Sequence, residues 1–134
     1  MRKIMTAIAV SALVLGGGVA TAKQTTAEKG EAKLEKMLEG RSPGTPVSCI
    51  SAMRSNNLEV IDETAVVYDG GNTIYVARPS DRRQLRRGDI LIIERTSGSQ
   101  LCTNDVVRTV DQSSGFMTGV VFLDKFVPYT KTES

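Results

Sequence analysis

Residues 65–77 read AVVYDGGNTIYVA, and this stretch indicates the fold most directly. Two runs rich in β-branched and aromatic residues, 65–68 and 73–77, flank the tetrapeptide Asp-Gly-Gly-Asn. Glycines between two such runs supply the positive φ angles that a tight hairpin requires. The stretch therefore predicts two antiparallel strands joined by a short turn.

Outward from this hairpin, short β-rich runs alternate with turn signals. We predict further strands at residues 58–62, 90–93, 105–110, 119–123 and 126–129. The run Ile-Leu-Ile-Ile at 90–93 has no polar interruption, so we expect a central strand buried on both faces. The run at 126–129 is expected to be a last edge strand that Pro128 ends. The fold class is thus mainly β, a small antiparallel barrel or sandwich of about six short strands.

Residues 23–46 differ in composition from the β-rich region 47–131. A stripe of Leu34, Met37 and Leu38 in a charged segment predicts a short helix, which the Pro- and Gly-rich linker at 40–46 ends. Three apolar contacts are few for docking, so we interpret this segment as a solvated lead-in. The alternative is an amphipathic helix that grips a partner.

The first 22 residues have the features of a cleaved signal peptide. Arg2 and Lys3 precede an apolar run at 4–15, and the small-residue sequence Ala-Thr-Ala at 20–22 follows. An apolar run of about twelve residues is shorter than the roughly twenty that span a bilayer. We expect a periplasmic or secreted protein with no stable membrane insertion after cleavage.

Charge gives no argument for a nucleic-acid partner. The chain has 17 basic and 15 acidic residues, and losing Arg2 and Lys3 with the signal leaves 15 of each. A neutral chain lacks the electrostatic footprint of nucleic-acid binding, so none is expected.

Cys49 and Cys102 are the only cysteines, and an oxidising compartment favours a bond between them. The chain-entropy model gives about 4 kcal/mol of stabilisation for a loop of this length. A reactive thiol or redox pair is the alternative, although the chain has no Cys-x-x-Cys spacing and no histidine to lower a thiol pKa.

Five arginines within ten residues are the sharpest charge feature of the chain: Arg78, Arg82, Arg83, Arg86 and Arg87. Guanidinium groups suit phosphate, sulfate and carboxylate groups, so this run is a candidate site for an anionic ligand or an acidic envelope protein. The alternative is a solvated loop, because Asp81 and Asp89 lie within the cluster. The tripeptide at 87–89, Arg-Gly-Asp, matches a cell-adhesion motif, but we interpret it as the turn that enters the strand at 90–93.

The absence of histidine excludes most catalytic designs. It removes the Ser-His-Asp and Cys-His arrangements and most zinc and copper sites. No spacing among the carboxylates marks a catalytic pair or a calcium loop. We predict no catalytic residues, no metal and no cofactor, and a protein that is not an enzyme.

Four segments of the chain are distinctive together: Pro-Val-Ser-Cys-Ile at 46–50, the hairpin from Val60 to Pro79, Gly-Ser-Gln-Leu-Cys at 98–102 and Asp-Lys-Phe-Val-Pro-Tyr at 124–129. They resemble a family of small secreted proteobacterial proteins known only as a domain of unknown function. The resemblance covers residues 46–131. Its members often carry two further cysteines, near Arg82 and near Val121, which this chain lacks. The resemblance therefore implies export and a Cys49–Cys102 bond, and it implies no activity.

The sequence thus predicts a non-enzymatic binding or accessory module of the cell envelope. One alternative is an envelope inhibitor or chaperone-like factor that uses the N-terminal helix. The other is a carboxylate-dependent hydrolase of envelope polymers, which needs two carboxylates in one cleft.

Overall fold

The computed structural model describes residues 21–133, so most of the expected signal peptide lies outside the described residues. The described part is mainly β, as predicted, and contains one α-helix, α1, at Thr26–Met37. The ten strands are β1 (Arg41–Pro43), β2 (Cys49–Ser51), β3 (Leu58–Ile61), β4 (Ala65–Asp69), β5 (Thr73–Ala77), β6 (Asp89–Glu94), β7 (Gln100–Cys102), β8 (Val106–Asp111), β9 (Met117–Val121) and β10 (Val127–Lys131).

The ten strands described exceed the six or so predicted, and they form three antiparallel sheets that do not close into the predicted barrel. The largest sheet has the order β1-β10-β5-β4-β3, the second pairs β2 with β7, and the third has the order β6-β8-β9. The predicted hairpin is confirmed as β4 and β5. Its turn is held by Gly70 N–H donating to Thr73 O and by Gly71 N–H donating to Asp69 Oδ1. Gly71 adopts a φ of 90°, which favours glycine.

The strand that is buried on both faces is β4, whereas the sequence predicted the run at 90–93. Ala65 and Val67 belong to an apolar cluster shared with α1, whereas Val66 and Tyr68 belong to the core shared with the two smaller sheets. That larger core includes Phe126, which is fully buried. The five-stranded sheet is therefore the middle layer of the molecule.

The prediction of a central, doubly buried strand at 90–93 is wrong. Strand β6 is an end strand of its sheet, and it pairs only with β8. Leu91 and Ile93 pack against the core, but Ile90 and Ile92 are 47% and 45% exposed. The strand thus packs one apolar face on the core and exposes a second apolar face to solvent, which explains the unbroken apolar run.

The prediction of an edge strand ended by Pro128 is also wrong. Strand β10 lies between β1 and β5, and Pro128 is its second residue. The Pro128 carbonyl accepts from Gly44 N–H at 2.7 Å, just beyond the end of β1. The N–H that Pro128 lacks would point to this same side of β10, toward the residues that follow β1. Its absence therefore removes no hydrogen bond between β10 and β5.

Helix α1 packs on the large sheet instead of extending into solvent as a lead-in. Leu34 is 2% exposed and belongs to the cluster with Val67 and Ile74, and Met37 and Leu38 pack against that cluster. Few apolar residues of the helix suffice here because the sheet supplies most of the cluster, including Ile61 and Val76. The helix described is neither long nor apolar enough to cross a membrane.

The predicted disulfide is confirmed. Cys49 and Cys102 occupy directly opposite positions on β2 and β7, with their Cα atoms 4.0 Å apart. The bond joins positions 53 residues apart and thereby links the two strands of the smallest sheet.

Candidate functional site

A cleft of about 350 Å³ lies between α1 and the turn that leads into β6. Its helix wall includes Lys29 and Lys33, and its opposite wall includes Arg86 and Arg87. The end of β3 forms the floor with Val60, Ile61 and Asp62, and Thr26, Gly30, Gly88 and Asp89 complete the lining. Four basic residues thus converge from two elements far apart in the chain.

The helix wall is fixed by a capping box and by one close contact. The Thr25 hydroxyl accepts from Glu28 N–H at 3.2 Å, and Glu28 Oε2 accepts from Thr25 N–H at 2.7 Å. Gly30 is buried, and a Cβ added there would lie 1.9 Å from Thr64 Oγ1. Because residues 29 and 33 are four apart, they lie on one face of the helix, beside this contact.

The opposite wall is fixed by a buried leucine and two hydrogen bonds. Leu85 is fully buried, and its carbonyl accepts from Glu63 N–H at 2.8 Å. Asp62 Oδ1 accepts from Arg87 N–H at 2.9 Å. Gly88, at a φ of 94°, then turns the chain into β6. The exposed guanidinium side chains of Arg86 and Arg87 are thereby carried by an anchored backbone.

The charges that line the cleft are predominantly positive. Four cations face two carboxylates, Asp62 and Asp89, and each carboxylate already accepts a hydrogen bond from the protein. The bond to Asp62 is the one from Arg87 N–H, and the bond to Asp89 Oδ2 comes from the Thr118 hydroxyl at 2.8 Å. Lys33 is already paired with Glu59, outside the lining, so Lys29, Arg86 and Arg87 are the cations of the lining that have no ion pair among residues 21–133. The arrangement suits an anion that can accept from ammonium and guanidinium groups.

The five arginines predicted as a site have three different environments. Arg86 and Arg87 line the cleft. Arg82 and Arg83 lie in a 3-10 helix at Arg82–Gln84, outside the lining, where Arg83 pairs with Asp81 at 3.2 Å. Arg78 donates two hydrogen bonds to Glu31, at 2.6 and 3.1 Å. The structure therefore brings together two of the five.

The ion pair of Arg78 ties α1 to the chain beyond β5. The hydrogen bond from the guanidinium lowers the pKa of the Glu31 carboxyl, and the same bond raises the pKa of Arg78. Both side chains are almost half exposed, so the pair contributes at most about 1 kcal/mol to stability. Its role is to orient the helix, and the Arg78 guanidinium is already engaged.

Sequence reasoning missed Lys29 and Lys33 as site residues. Their spacing of four is readable from the sequence and places both on one helix face. What the sequence does not contain is the packing of that helix on the end of β3, which sets the lysines opposite Arg86 and Arg87. Among residues 21–133, no group of three or more acidic or cysteine side chains is arranged to hold a metal.

No family model, curated protein or solved structure matches this chain. The resemblance to a family of secreted proteins therefore stays a prediction.

Proposed function

We propose that this chain is an exported, non-enzymatic binding module that takes an anionic ligand in the cleft between α1 and the turn at 86–89. The observation that carries the proposal is the convergence of Lys29, Lys33, Arg86 and Arg87 on one cleft. Export is supported by the signal-like first 22 residues and is compatible with the intramolecular disulfide.

The dimensions and chemistry of the cleft indicate the ligand class. A volume of about 350 Å³ is at the small end of ligand pockets and suits one compact charged group with a short attachment. Guanidinium groups bind phosphate, sulfate or carboxylate oxygens through paired N–H donors, and ammonium groups add point charges. The partly exposed Val60 in the floor suits an uncharged portion of the same ligand.

The test is an amide-resolved NMR titration of the protein with inorganic phosphate and pyrophosphate. We expect saturable shifts centred on Gly30, Arg87 and Gly88, and weaker binding as salt rises, because exposed charges are screened. Replacing Lys29, Lys33, Arg86 and Arg87 together with Ala should abolish the shifts.

The matched control removes four positive charges outside the cleft lining, at Lys36, Arg54, Arg82 and Lys125. This variant has the same net charge as the cleft variant, so it should bind as the wild type does if position matters. Equal loss of phosphate binding in both variants, or amide shifts scattered over the surface, would show that the anion is attracted by charge in general. Either result would overturn the proposal.

A second candidate is the carboxylate-dependent hydrolase, because Asp62 and Asp89 line the same cleft. General acid–base work needs two carboxylates near the scissile bond. The discriminating assay incubates the protein with purified peptidoglycan fragments and follows their masses. Fragments that stay intact favour the binding module. Cleavage that is lost in Asp62→Asn with Asp89→Asn would favour the hydrolase.

The alternative in which α1 grips a partner is less well supported. The apolar stripe that such a grip needs lies against the large sheet, where Leu34 is buried. The exposed side of α1 is charged, and its Lys29 and Lys33 belong to the cleft already described. The helix thus supports the anion site better than it supports a separate apolar docking site.

A further inference from the structure

The outer face of the β6-β8-β9 sheet is an apolar surface. Its register aligns the outward side chains in rows across the three strands, so that Ile90 lies beside Val110 and Val110 beside Met117. In the next row, Arg108 lies between Ile92 and Val120, and the last row pairs Glu94 with Val106. Phe122 follows β9 directly. Seven of these nine positions are apolar.

This face is exposed to an extent that is unusual for apolar side chains. Ile90, Ile92 and Val106 are exposed by 40% or more, and Met117 and Phe122 by 64% and 65%. Phe116 directly precedes Met117, in the turn that enters β9, and is 76% exposed. Apolar residues scattered singly over a surface are normal, whereas a contiguous apolar face marks an interaction site.

The charges on the face pair with one another. Arg108 Nη1 donates to Glu94 Oε1, across neighbouring strands. These are the only two charged side chains among the nine positions, so the face has no net charge. It is therefore self-complementary, since a two-fold axis between the two side chains places each Arg108 against Glu94 of another copy.

We infer that the outer face of the β6-β8-β9 sheet binds the same face of a second copy of this chain, forming a two-fold symmetric dimer. The two sheets stack as the layers of a β-sandwich, about 10 Å apart. The Arg108 and Glu94 groups of both copies form one four-charge network at the two-fold axis. Phe122 lies near this network, in the row of Glu94 and Val106, and Met117 lies at the other end of the face.

The available area agrees with a stable dimer. The six most exposed apolar side chains offer on the order of 700 Å² of accessible surface, close to the about 800 Å² per partner that a standard interface buries. Polar residues at 111–114, in the turn beside Phe116, provide a rim. An interface with an apolar centre and a polar rim is what this surface would form with itself.

The test measures the mass of the exported protein in solution by sedimentation and light scattering from micromolar to millimolar concentration. The wild type should be a dimer. Ile92→Lys with Met117→Lys should weaken the dimer at least a hundredfold, because each copy then brings two unpaired positive charges into an apolar interface. Near-ultraviolet circular dichroism verifies that the monomer keeps its fold.

The matched control is Val47→Lys with Met53→Lys, which adds the same charge at exposed apolar residues outside this face. It should dimerise as the wild type does. A wild type that stays monomeric would overturn the inference, even if another protein binds the face. So would a dimer that survives the paired lysines at 92 and 117, or one that the control disrupts equally.

Charge reversal tests the two-fold arrangement itself. Arg108→Glu alone and Glu94→Arg alone should each dimerise weakly, because four like charges meet at the centre. Mixing the two variants should restore association as a heterodimer, since opposite charges then face one another. Two variants that associate no better mixed than apart would contradict the arrangement.

Discussion

Asp105 is a buried carboxyl just before β8, and it links the loop after β6 to the end of β7. It is 6% exposed, and its Oδ1 accepts from both the backbone N–H and the hydroxyl of Thr96, each at 3.1 Å. Its Oδ2 accepts from Cys102 N–H at 2.8 Å, beside the disulfide. Burial raises the pKa of this carboxyl. The hydrogen bonds together lower the pKa by more than burial raises it, so the net shift is downward. The charged carboxylate is therefore the form that the fold requires.

We predict that Asp105→Asn lowers the free energy of unfolding by about 1–3 kcal/mol. Both carboxylate oxygens of Asp105 accept hydrogen bonds, so the NH₂ group of an asparagine would face an N–H donor in either orientation of its amide. Urea denaturation at neutral pH measures this loss. Asp124→Asn, at an exposed position, serves as the control and should change little. Equal stability of the Asp105→Asn variant and the wild type would show that the three hydrogen bonds are not needed.

Asp111 should make stability depend on pH in the acid range. Its carboxylate accepts hydrogen bonds from the hydroxyl and backbone N–H groups of Ser113 and Ser114, and the pKa falls to about 2, with the Ser113 hydroxyl as the largest cause. Because the folded-state pKa lies below the unfolded value, the stabilisation is complete above about pH 4. It is lost as the pH falls toward 2.

The measurement is a carboxyl-resolved NMR titration, in which Asp111 should titrate near pH 2. Ser113→Ala with Ser114→Ala removes the two hydroxyl donors and should raise that midpoint toward the ordinary value. A wild-type midpoint near 4 would contradict the account of this turn.

At the scale of elements, the position of α1 depends on the absence of a side chain at Gly30. A Cβ there would meet Thr64 Oγ1 at 1.9 Å and the Asp62 carbonyl at 2.8 Å, and a backbone carbonyl cannot swing aside. Ala is the better helix former by about 1 kcal/mol, so an undocked helix would gain stability from Gly30→Ala. A docked helix would lose it.

We therefore predict that Gly30→Ala destabilises the protein by about 1–3 kcal/mol through overpacking, measured by thermal and urea unfolding. The control is Gly98→Ala, where no atom lies within 4 Å of the added Cβ and where φ is not in the left-handed region. That change should be close to neutral. A gain in stability for Gly30→Ala would show that α1 does not rest on the sheet in solution.

The sequence predicted the β4–β5 hairpin because its turn chemistry is local. It could not place β6, because the run 90–93 is equally compatible with two buried faces and with one buried and one exposed apolar face. Strand β10 was misplaced for a similar reason. Pro128 lacks a hydrogen-bond donor on one side of its strand only, and that side faces the residues after β1. The sequence does not show that β1, far away in the chain, pairs there and ends before Pro128.

At the scale of the whole molecule, the disulfide stabilises a fold whose smallest sheet has two strands of three residues each. We predict that Cys49→Ala with Cys102→Ala lowers the free energy of unfolding by about 4 kcal/mol, much of the total for a domain of this size. Urea unfolding measures it. Alkylation of the native protein without reductant should label no thiol, and an unchanged unfolding midpoint in the variant would contradict the prediction.

Part of the candidate site could be predicted from local sequence, and part depends on contacts between distant segments. The arginine run is visible in the sequence, and two of its members line the cleft. Lys29 and Lys33 enter it only because α1 docks on the end of β3. The hydrogen bond from Arg87 N–H to Asp62 is likewise a tertiary contact between segments that the sequence leaves unconnected.

In the proposed function, four basic residues in one cleft bind an anionic ligand of the envelope. The most direct measurement is a parallel pull-down from gently solubilised envelope with the wild type, the cleft variant and the charge-matched control, read by mass spectrometry for proteins and small molecules. We expect a stoichiometric anionic companion that the wild type and the control retain and the cleft variant loses. An empty wild type, or a companion that the cleft variant retains equally, would contradict the proposed function.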